Sequence, residues 1–175
     1  MNIEQESLTT EWPAWYAALP VAISAAGVLF FDTPDRVLMV RTNYKDDWDI
    51  PGGVIEVNRG ENPFDAARRE IAEELGLDIA IGPLLSIDVD PARENRRPLI
   101  AFLFDGGTLT STDLHQIRFV DNEIAEVRFC DMDQVTQLAA PPLARRVLTT
   151  VSLRGAAGPT PAFLTGGMMA VPTVT

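Results

Sequence analysis

The stretch Trp48–Leu77 reads WDIPGGVIEVNRGENPFDAARREIAEELGL and carries the strongest signals for fold and chemistry in the chain. Three of its glutamates, Glu70, Glu73 and Glu74, follow the spacing i, i+3 and i+4, which places them on one face of a helix. Like charges at this spacing repel by about 0.2–0.5 kcal/mol per pair, and carboxylates near a helix C-terminus also oppose the helix dipole. Because a divalent cation between the carboxylates would turn this repulsion into attraction, the segment predicts a metal platform.

Local signals on either side of the glutamates define the helix that carries them. Asn62 is a preferred N-cap residue, and Pro63 suits the first helical turn. Gly76 suits a left-handed C-terminal cap, so the sequence predicts a helix over 63–75. Apolar residues at helical spacing give this helix one narrow buried stripe: Phe64, Ala67, Ile71 and Leu75. The alternative for the glutamates is a solvated acidic face, which is what most runs of charge are.

Only oxygen atoms are available in quantity as ligands for a metal. Cys130 is the single cysteine and His115 the single histidine, which excludes an internal disulfide and a Cys/His zinc site. The glycines Gly52 and Gly53 allow a close backbone approach, so a carbonyl there could add another oxygen. We therefore expect Mg²⁺, with Mn²⁺ as the alternative, and no organic cofactor.

The composition limits the class of partner. A chain of 175 residues with 46% apolar content suits a single globular domain. Its formal net charge is −11 and Lys45 is its only lysine, which disfavours binding to nucleic acid or to anionic lipid. A small phosphorylated ligand remains compatible with this charge if metal cations neutralise the contact.

One stretch has the length of a membrane span. The twenty residues Trp12–Phe31 carry no charge, but Pro20 would break a helix at its middle. Neither a basic flank nor the basic start of a secretory signal accompanies the stretch. We expect a short amphipathic segment followed by a buried strand, no membrane span and a cytoplasmic location.

The order of the predicted elements favours an α+β fold. We expect strands at 21–31, 36–41, 79–89, 99–104 and 126–130. After the helix over 63–75, two more helices are predicted over 132–138, with Asp131 as N-cap, and over 142–153. This order lacks the regular βαβ alternation of a doubly wound sheet.

The chain divides into three predicted segments. Residues 1–20 form an N-terminal aromatic segment, 21–154 the domain, and 155–175 a tail that has no charge and contains four glycines. This composition predicts a tail rather than a packed element. Its larger apolar side chains could still dock on the domain or on a second subunit of a homodimer: Phe163, Leu164, Met168 and Met169.

A known motif covers the glutamate helix. Residues 69–77, REIAEELGL, match the second half of the Nudix box, R-E-U-x-E-E-x-G-U with U apolar, and Glu61 precedes Arg69 by the spacing that the box requires. On these residues the chain resembles the Nudix (MutT-like) family of hydrolases. Seven residues instead of five separate Gly53 from Glu61, so we expect a two-residue insertion near 57–59. The insertion leaves the helix in register and puts the distance from the glycines to the helix in question.

The resemblance implies a fold and an activity. Nudix enzymes are α/β/α sandwiches around a mixed β-sheet, and they hydrolyse a nucleoside diphosphate linked to another group. The implied partner is thus a small nucleoside diphosphate derivative, with a weak preference for an ADP-ribose-like compound or a nucleotide. A non-catalytic Nudix-like module that binds a nucleotide or sugar-nucleotide stays open as the alternative, and so does an acidic scaffold that binds no metal.

The resemblance also implies roles for the residues of the box. Glu73 and Glu74 resemble the principal metal ligands, and Glu70 resembles the glutamate that binds metal or acts as base. Arg69 resembles the arginine that orients these carboxylates. Gly52, or the glycine after it, resembles the carbonyl ligand.

The remaining carboxylates are assigned more loosely. Glu61 resembles a supporting residue of the box. A later loop in this family often supplies one more catalytic carboxylate, and Glu123 is the candidate here, with Glu126 and Asp121 close by in sequence.

Two groups outside the box could contact a ligand. Arg93, Arg96 and Arg97 cluster at a predicted hairpin tip, where arginine would suit phosphate oxygens. Tyr44 and Lys45 precede the box and could contact a base or a phosphate. Solvated loop residues are the alternative in both cases.

Overall fold

A computed structural model describes residues 12–120, 123–154 and 161–170 of the chain. Its strands are β1 (Ile23–Thr33), β2 (Arg36–Thr42), β3 (Gly52–Val54), β4 (Leu84–Asp90), β5 (Leu99–Thr108), β6 (Ile124–Asp131), β7 (Ala162–Thr165) and β8 (Met168–Met169). Its helices are α1 (Ala14–Ala17), α2 (Pro63–Leu75), α3 (Ser111–Gln116), α4 (Met132–Leu138) and α5 (Pro141–Leu153), with a 3-10 turn at Val57–Arg59.

The strands form one mixed sheet in the order β6-β2-β1-β5-β4-β7-β8. The pairs β1/β5 and β4/β7 are parallel, and the other pairs are antiparallel. Strand β1 is 11 residues long, so it pairs with β3 near its start and with β2 near its end, along the same edge. This arrangement brings the short β3 against the middle of the sheet.

The sheet separates two hydrophobic cores. Because side chains alternate along a strand, Ala26, Val28 and Phe30 of β1 pack in the core that contains α2, while Leu29 and Phe31 pack in the core that contains α4 and α5. Burying one such large side chain contributes about 1.5–3 kcal/mol. The expected α/β/α sandwich around a mixed sheet is therefore confirmed.

Most of the expected elements are present, with some boundaries shifted. The helices expected over 63–75 and 132–138 have those bounds, and Asp131 caps the second one. The strand expected over 79–89 begins only at Leu84. Helix α3 was not expected, although Thr110 and Asp113 form a capping box whose T-x-x-D pattern is visible in the sequence.

The C-terminal segment does contain packed structure. Residues 162–165 form β7, which pairs with the edge of β4, and Leu164 is buried. Gly166 and Gly167 have φ values of 59° and 82°, as a two-residue hairpin turn requires. The expectation of an unpacked tail is thus wrong for this hairpin, and docking on the domain is correct for Leu164. Residues 155–160 and 171–175 lie outside the described part of the chain.

The uncharged stretch near the start of the chain is split as expected. It contains the four-residue α1 and then the beginning of β1. Among residues 12–120, 123–154 and 161–170, no helix is long and apolar enough to cross a membrane.

Candidate active site

Helix α2 is fixed at both ends by the residues that the sequence singles out. The Asn62 side chain accepts hydrogen bonds from the backbone N–H groups of Phe64 and Asp65, at 2.9 and 3.0 Å. Gly76 has a φ of 67° and donates its N–H to the Ala72 carbonyl, at 3.1 Å. Ala67, Ile71 and Leu75 of its expected apolar stripe are buried in one core, whereas Phe64, near the start of the helix, is exposed. The three buried side chains fix the rotation at which the helix presents its glutamates.

Arg69 connects three carboxylates. Its Nη1 donates to Glu70 Oε1 at 2.8 Å and to Glu73 Oε2 at 2.9 Å, and its Nε donates to Glu61 Oε1 at 2.8 Å. Its Nη2 donates to the Val54 carbonyl at 3.1 Å, which ties the helix to β3. The hydrogen bond to Glu61 is the main reason that the pKa of Arg69 is raised above its ordinary value. One guanidinium group thus offsets much of the repulsion that the sequence predicts.

Arg68, the neighbouring arginine, has a different ion-pair partner. Its Nη2 lies 3.6 Å from Asp78 Oδ1 beyond the end of the helix. The two adjacent arginines therefore face different partners, because a step of one residue turns the helix by about 100°.

Glu74 and Glu70 lie against the two glycines. Glu74 is buried, and its Oε2 accepts a hydrogen bond from the Gly52 N–H at 2.8 Å. A Cβ at Gly53 would lie 2.3 Å from Glu70 Oε1, so only glycine leaves room for that carboxylate. Gly52 has a φ of 141°, and a Cβ there would lie 2.2 Å from the Ala26 carbonyl oxygen. Gly52 is therefore required by backbone contacts, and Gly53 is required for the observed position of the Glu70 carboxylate.

The expected insertion is accommodated away from these contacts. Residues 57–59 form the 3-10 turn, which ends at Gly60 with a φ of 75°. The N–H of Glu56, just before the turn, donates to Oε2 of Glu61, just after it, at 2.7 Å and closes the loop. Despite the longer spacing, Gly52 and Gly53 lie in close contact with Glu74 and Glu70 of the helix. The Gly52 contact is made by its N–H, and a metal-binding role of its carbonyl stays a prediction.

The carboxylates differ in their electrostatic environment. Burial raises the pKa of Glu70 above its ordinary value, although the Arg69 guanidinium acts in the opposite direction. Hydrogen bonds from Arg69 lower the pKa of Glu61. Glu73 is the most open of these carboxylates, with 51% of its side chain exposed. The face therefore combines shielded and exposed carboxylate oxygens.

The later-loop candidates separate into two groups. Glu123 accepts a backbone hydrogen bond from Asn43 at 2.8 Å, next to Tyr44. Partial burial raises the pKa of the Tyr44 phenol, and the charge of Glu123 acts in the same direction. Glu126 instead hydrogen-bonds Arg41 and Arg128. Asp121 lies outside the described residues.

A cavity of about 470 Å³ opens beside β3. Gly52 and Gly53 lie on its wall together with Tyr44 and Lys45, and Lys45 forms an ion pair with Asp49. Its apolar wall includes Trp48, Leu99 and Leu143, and three arginines also line it: Arg93, Arg96 and Arg146.

No expectation from the sequence covered Arg146 or the two aspartates, Asp88 and Asp90, that hold it. A signal was nevertheless present. The D-V-D pattern at the end of β4 puts two acids on one face of a strand that is otherwise apolar, and such buried charges require partners.

Comparisons with known proteins find one family model and several relatives that match this chain. The family model of the NUDIX domain matches residues 22–151. A MutT-like protein of Streptomyces ambofaciens is 26% identical over 138 residues, which cover 77% of this chain and 79% of that protein. Diphosphoinositol polyphosphate phosphohydrolase 2 of Rattus norvegicus is 41% identical over 63 residues, which cover 35% of this chain and 34% of the rat protein.

A solved structure shares the fold. The NUDIX domain of Shewanella oneidensis NrtR, crystallised with ADP ribose, superposes with a TM-score of 0.63 at 18% identity, covering 89% of this chain and all of that one.

Proposed function

This chain belongs to the Nudix family of pyrophosphohydrolases, and we propose that it hydrolyses the pyrophosphate bond of a nucleoside diphosphate linked to another group, with Mg²⁺ or Mn²⁺. The observation that carries the proposal is the contact between α2 and β3, where Arg69 gathers three carboxylates and Glu74 accepts from Gly52. The adjoining cavity has the size of an ordinary small-molecule site.

The donor set fits a divalent cation. Glu61, Glu70 and Glu73 share the single guanidinium of Arg69, and Glu74 adds a fourth carboxylate on the same helix, so negative charge is in excess. Carboxylate oxygens are the ligands that Mg²⁺ prefers. Within the described ranges, no three acidic, histidine or cysteine side chains are yet grouped to hold an ion. Cation binding on this face therefore requires carboxylates to turn away from Arg69, and the exposed Glu73 is the freest to do so.

We assign the metal-binding role to Glu73, Glu74, Glu70 and the Gly52 carbonyl. When bound, the cation would neutralise phosphate charge and lower the pKa of a water molecule at the site. We propose that Glu70, held between Gly53 and the Arg69 guanidinium, either binds the metal or accepts the proton of the attacking water. Arg69 keeps the carboxylates in position and limits their repulsion.

Glu123 is proposed as the additional catalytic carboxylate. Its support is the backbone hydrogen bond that its carbonyl accepts from Asn43, next to Tyr44 on the wall of the cavity. We also propose that the partner is a small nucleotide derivative and not nucleic acid, that the chain acts in the cytoplasm, and that a homodimer is compatible with its exposed apolar side chains.

The test is an assay of phosphate-containing products from a panel of nucleoside diphosphate derivatives, with Mg²⁺ and with EDTA. Glu74→Gln removes one proposed ligand, and Asp35→Asn, in the exposed turn between β1 and β2, is the matched control. We expect metal-dependent cleavage of at least one compound, a loss of about 100-fold or more in Glu74→Gln, and no change in Asp35→Asn.

Two other outcomes would replace the proposal. Metal-dependent binding of a panel compound without turnover would favour the non-catalytic binding module. An absence of any response to Mg²⁺ would favour an acidic scaffold.

A further inference from the structure

A second polar group lies on the cavity, away from the glutamates. Asp90 Oδ1 is 2.6 Å from Arg93 Nη2, and Asp90 Oδ2 is 3.0 Å from Arg96 Nη1. Asp88 Oδ2 is 2.7 Å from Arg146 Nε. Both aspartates are fully buried. We call Arg93, Arg96 and Arg146 the arginine cluster.

The register of the sheet gives the separation between this cluster and the glycines. Gly52 lies opposite Gly27 of β1, and Leu99, which follows the loop that carries two of the arginines, lies opposite Ile23. Four residues of strand separate Ile23 from Gly27, which corresponds to about 13 Å at the usual rise. The cavity therefore has a glycine end at Gly52 and an arginine end beside Leu99, about 13 Å apart along β1. Arg146 lies between the two ends, because its partner Asp88 is in register with Ala25 of β1 through Ala101.

The arginine end keeps positive charge available. Three guanidinium groups face two carboxylates, in a chain whose net charge is −11. Arg93 and Arg96 keep 40% and 37% of their side chains exposed while Asp90 fixes one edge of each. An arginine has five N–H donors, and the bonds to Asp90 engage one nitrogen atom of each of these two side chains. The other N–H groups of Arg93 and Arg96 can then donate to a ligand in the cavity.

A purely structural role does not account for this arrangement. Taking aspartates out of water is costly, and apolar side chains of similar volume commonly stabilise such positions equally well. The cost is understandable if the aspartates hold guanidinium groups at fixed places on a binding surface, because Arg matches the oxygens of phosphate and carboxylate groups.

We propose that the arginine cluster binds a second anionic group of the substrate, a phosphoryl or a carboxylate, on a part of the molecule that lies beyond the cleaved pyrophosphate. This inference rests on the proposed function and extends it to the class of substrate. The apolar wall between the two ends, which includes Leu99 and Leu143, would hold the uncharged ring between the two anionic groups. Compounds that carry the distant anion are then preferred over those that lack it.

The kinetic test uses pairs of compounds that differ only in this group. NADP⁺ and NAD⁺ differ by one phosphoryl group, and UDP-glucuronate and UDP-glucose differ by one carboxylate. We expect kcat/KM to be higher for the anionic member of at least one pair, and this preference to fall by about tenfold or more in Arg93→Gln or Arg96→Gln. The pair that responds identifies the group.

The control is Arg97→Gln, since Arg97 is an exposed neighbour that does not line the cavity. It removes the same charge from the same loop and should leave both activity and preference unchanged. Each single variant leaves the buried Asp90 paired with the other arginine of the loop, so the protein should still fold. If a Gln variant does not fold, Arg93→Lys or Arg96→Lys keeps the ion pair with Asp90 and can be assayed instead. An equal loss of preference in Arg97→Gln, or no preference in the wild type, would overturn the inference.

A binding test separates this inference from the proposed function. In EDTA, ribose 5-phosphate and glucuronate are titrated into the full chain and followed by NMR chemical-shift changes. We expect one of them to bind, binding to be weakened at least about fivefold in Arg96→Gln, and Arg97→Gln to bind like the wild type. Binding without hydrolysis of any panel compound would reject the proposed function alone. Hydrolysis combined with no binding, or with binding insensitive to Arg96, would reject the inference alone.

Discussion

Arg69 stabilises the glutamate face in the absence of a cation by reducing the repulsion between its carboxylates. It is the only cation in contact with Glu61, Glu70 and Glu73 among the described residues, and it also holds the Val54 carbonyl. Its planar fork reaches these partners in different directions at once, which a single ammonium group cannot do. The residue therefore both relieves repulsion and sets the direction of each carboxylate.

We expect Arg69→Lys to be non-conservative. The ammonium group can retain one of the carboxylates, and the others lose a charge-assisted hydrogen bond worth about 1.5–3 kcal/mol. Activity should fall at least about tenfold and the free energy of unfolding by about 1–3 kcal/mol. Urea denaturation and steady-state kinetics measure both. Arg68→Lys is the control, and an equal effect there would contradict the role given to Arg69.

The two glycines predict opposite phenotypes. A Cβ at Gly53 meets the end of the flexible Glu70 side chain, so Gly53→Ala should fold and lose activity by tenfold or more, roughly. A Cβ at Gly52 meets the backbone of Ala26 and Gly27 at a positive φ, so Gly52→Ala should destabilise the protein by about 2 kcal/mol or more.

Thermal denaturation and the hydrolysis assay, run on both variants, separate the two effects. Inactivity in Gly53→Ala with an unchanged melting temperature supports the contact with Glu70. A fully active Gly53→Ala would show that Glu70 does not need its observed position.

At the scale of elements, helices were easier to predict than sheet edges. The bounds of α2 and α4 follow from residues in the helices themselves or next to them, such as Asn62, Gly76 and Asp131, because capping is a local interaction. The pairing of β7 with β4 depends on residues more than 70 positions apart, and composition carries little information about it. The box residues were predicted from sequence, and so was a ligand-contacting role for Arg93 and Arg96. Arg146 needed the fold to bring α5 beside β4.

The hairpin formed by β7 and β8 should contribute to stability through one buried side chain. Leu164 is 2% exposed and Phe163 is 62% exposed, and they are adjacent in the same strand. We expect Leu164→Ala to lower the free energy of unfolding by about 2–4 kcal/mol and Phe163→Ala to change it by less than about 0.5 kcal/mol. Chemical denaturation measures both, and similar values for the two variants would mean that the hairpin is not docked in solution.

For the molecule as a whole, metal and stability should be linked. A ligand that binds only the folded state stabilises it by mass action, by about 2.7 kcal/mol at a concentration 100-fold above Kd. Mg²⁺ should therefore raise the melting temperature, EDTA should reverse the increase, and Glu74→Gln should reduce it. The matched control Asp35→Asn should respond like the wild type. A melting temperature indifferent to Mg²⁺ and Mn²⁺ would leave the glutamates as a solvated surface.

The 3-10 turn at Val57–Arg59 has a consequence for how such sites are recognised in other chains. The turn lengthens the path from Gly53 to Glu61 by two residues, yet Gly52 still reaches Glu74 and Arg69 still reaches Val54. A search pattern that counts residues between glycine and glutamate would pass over this chain. A pattern written as three-dimensional contacts between a glycine strand and a glutamate helix would find it, together with relatives whose loops differ further in length.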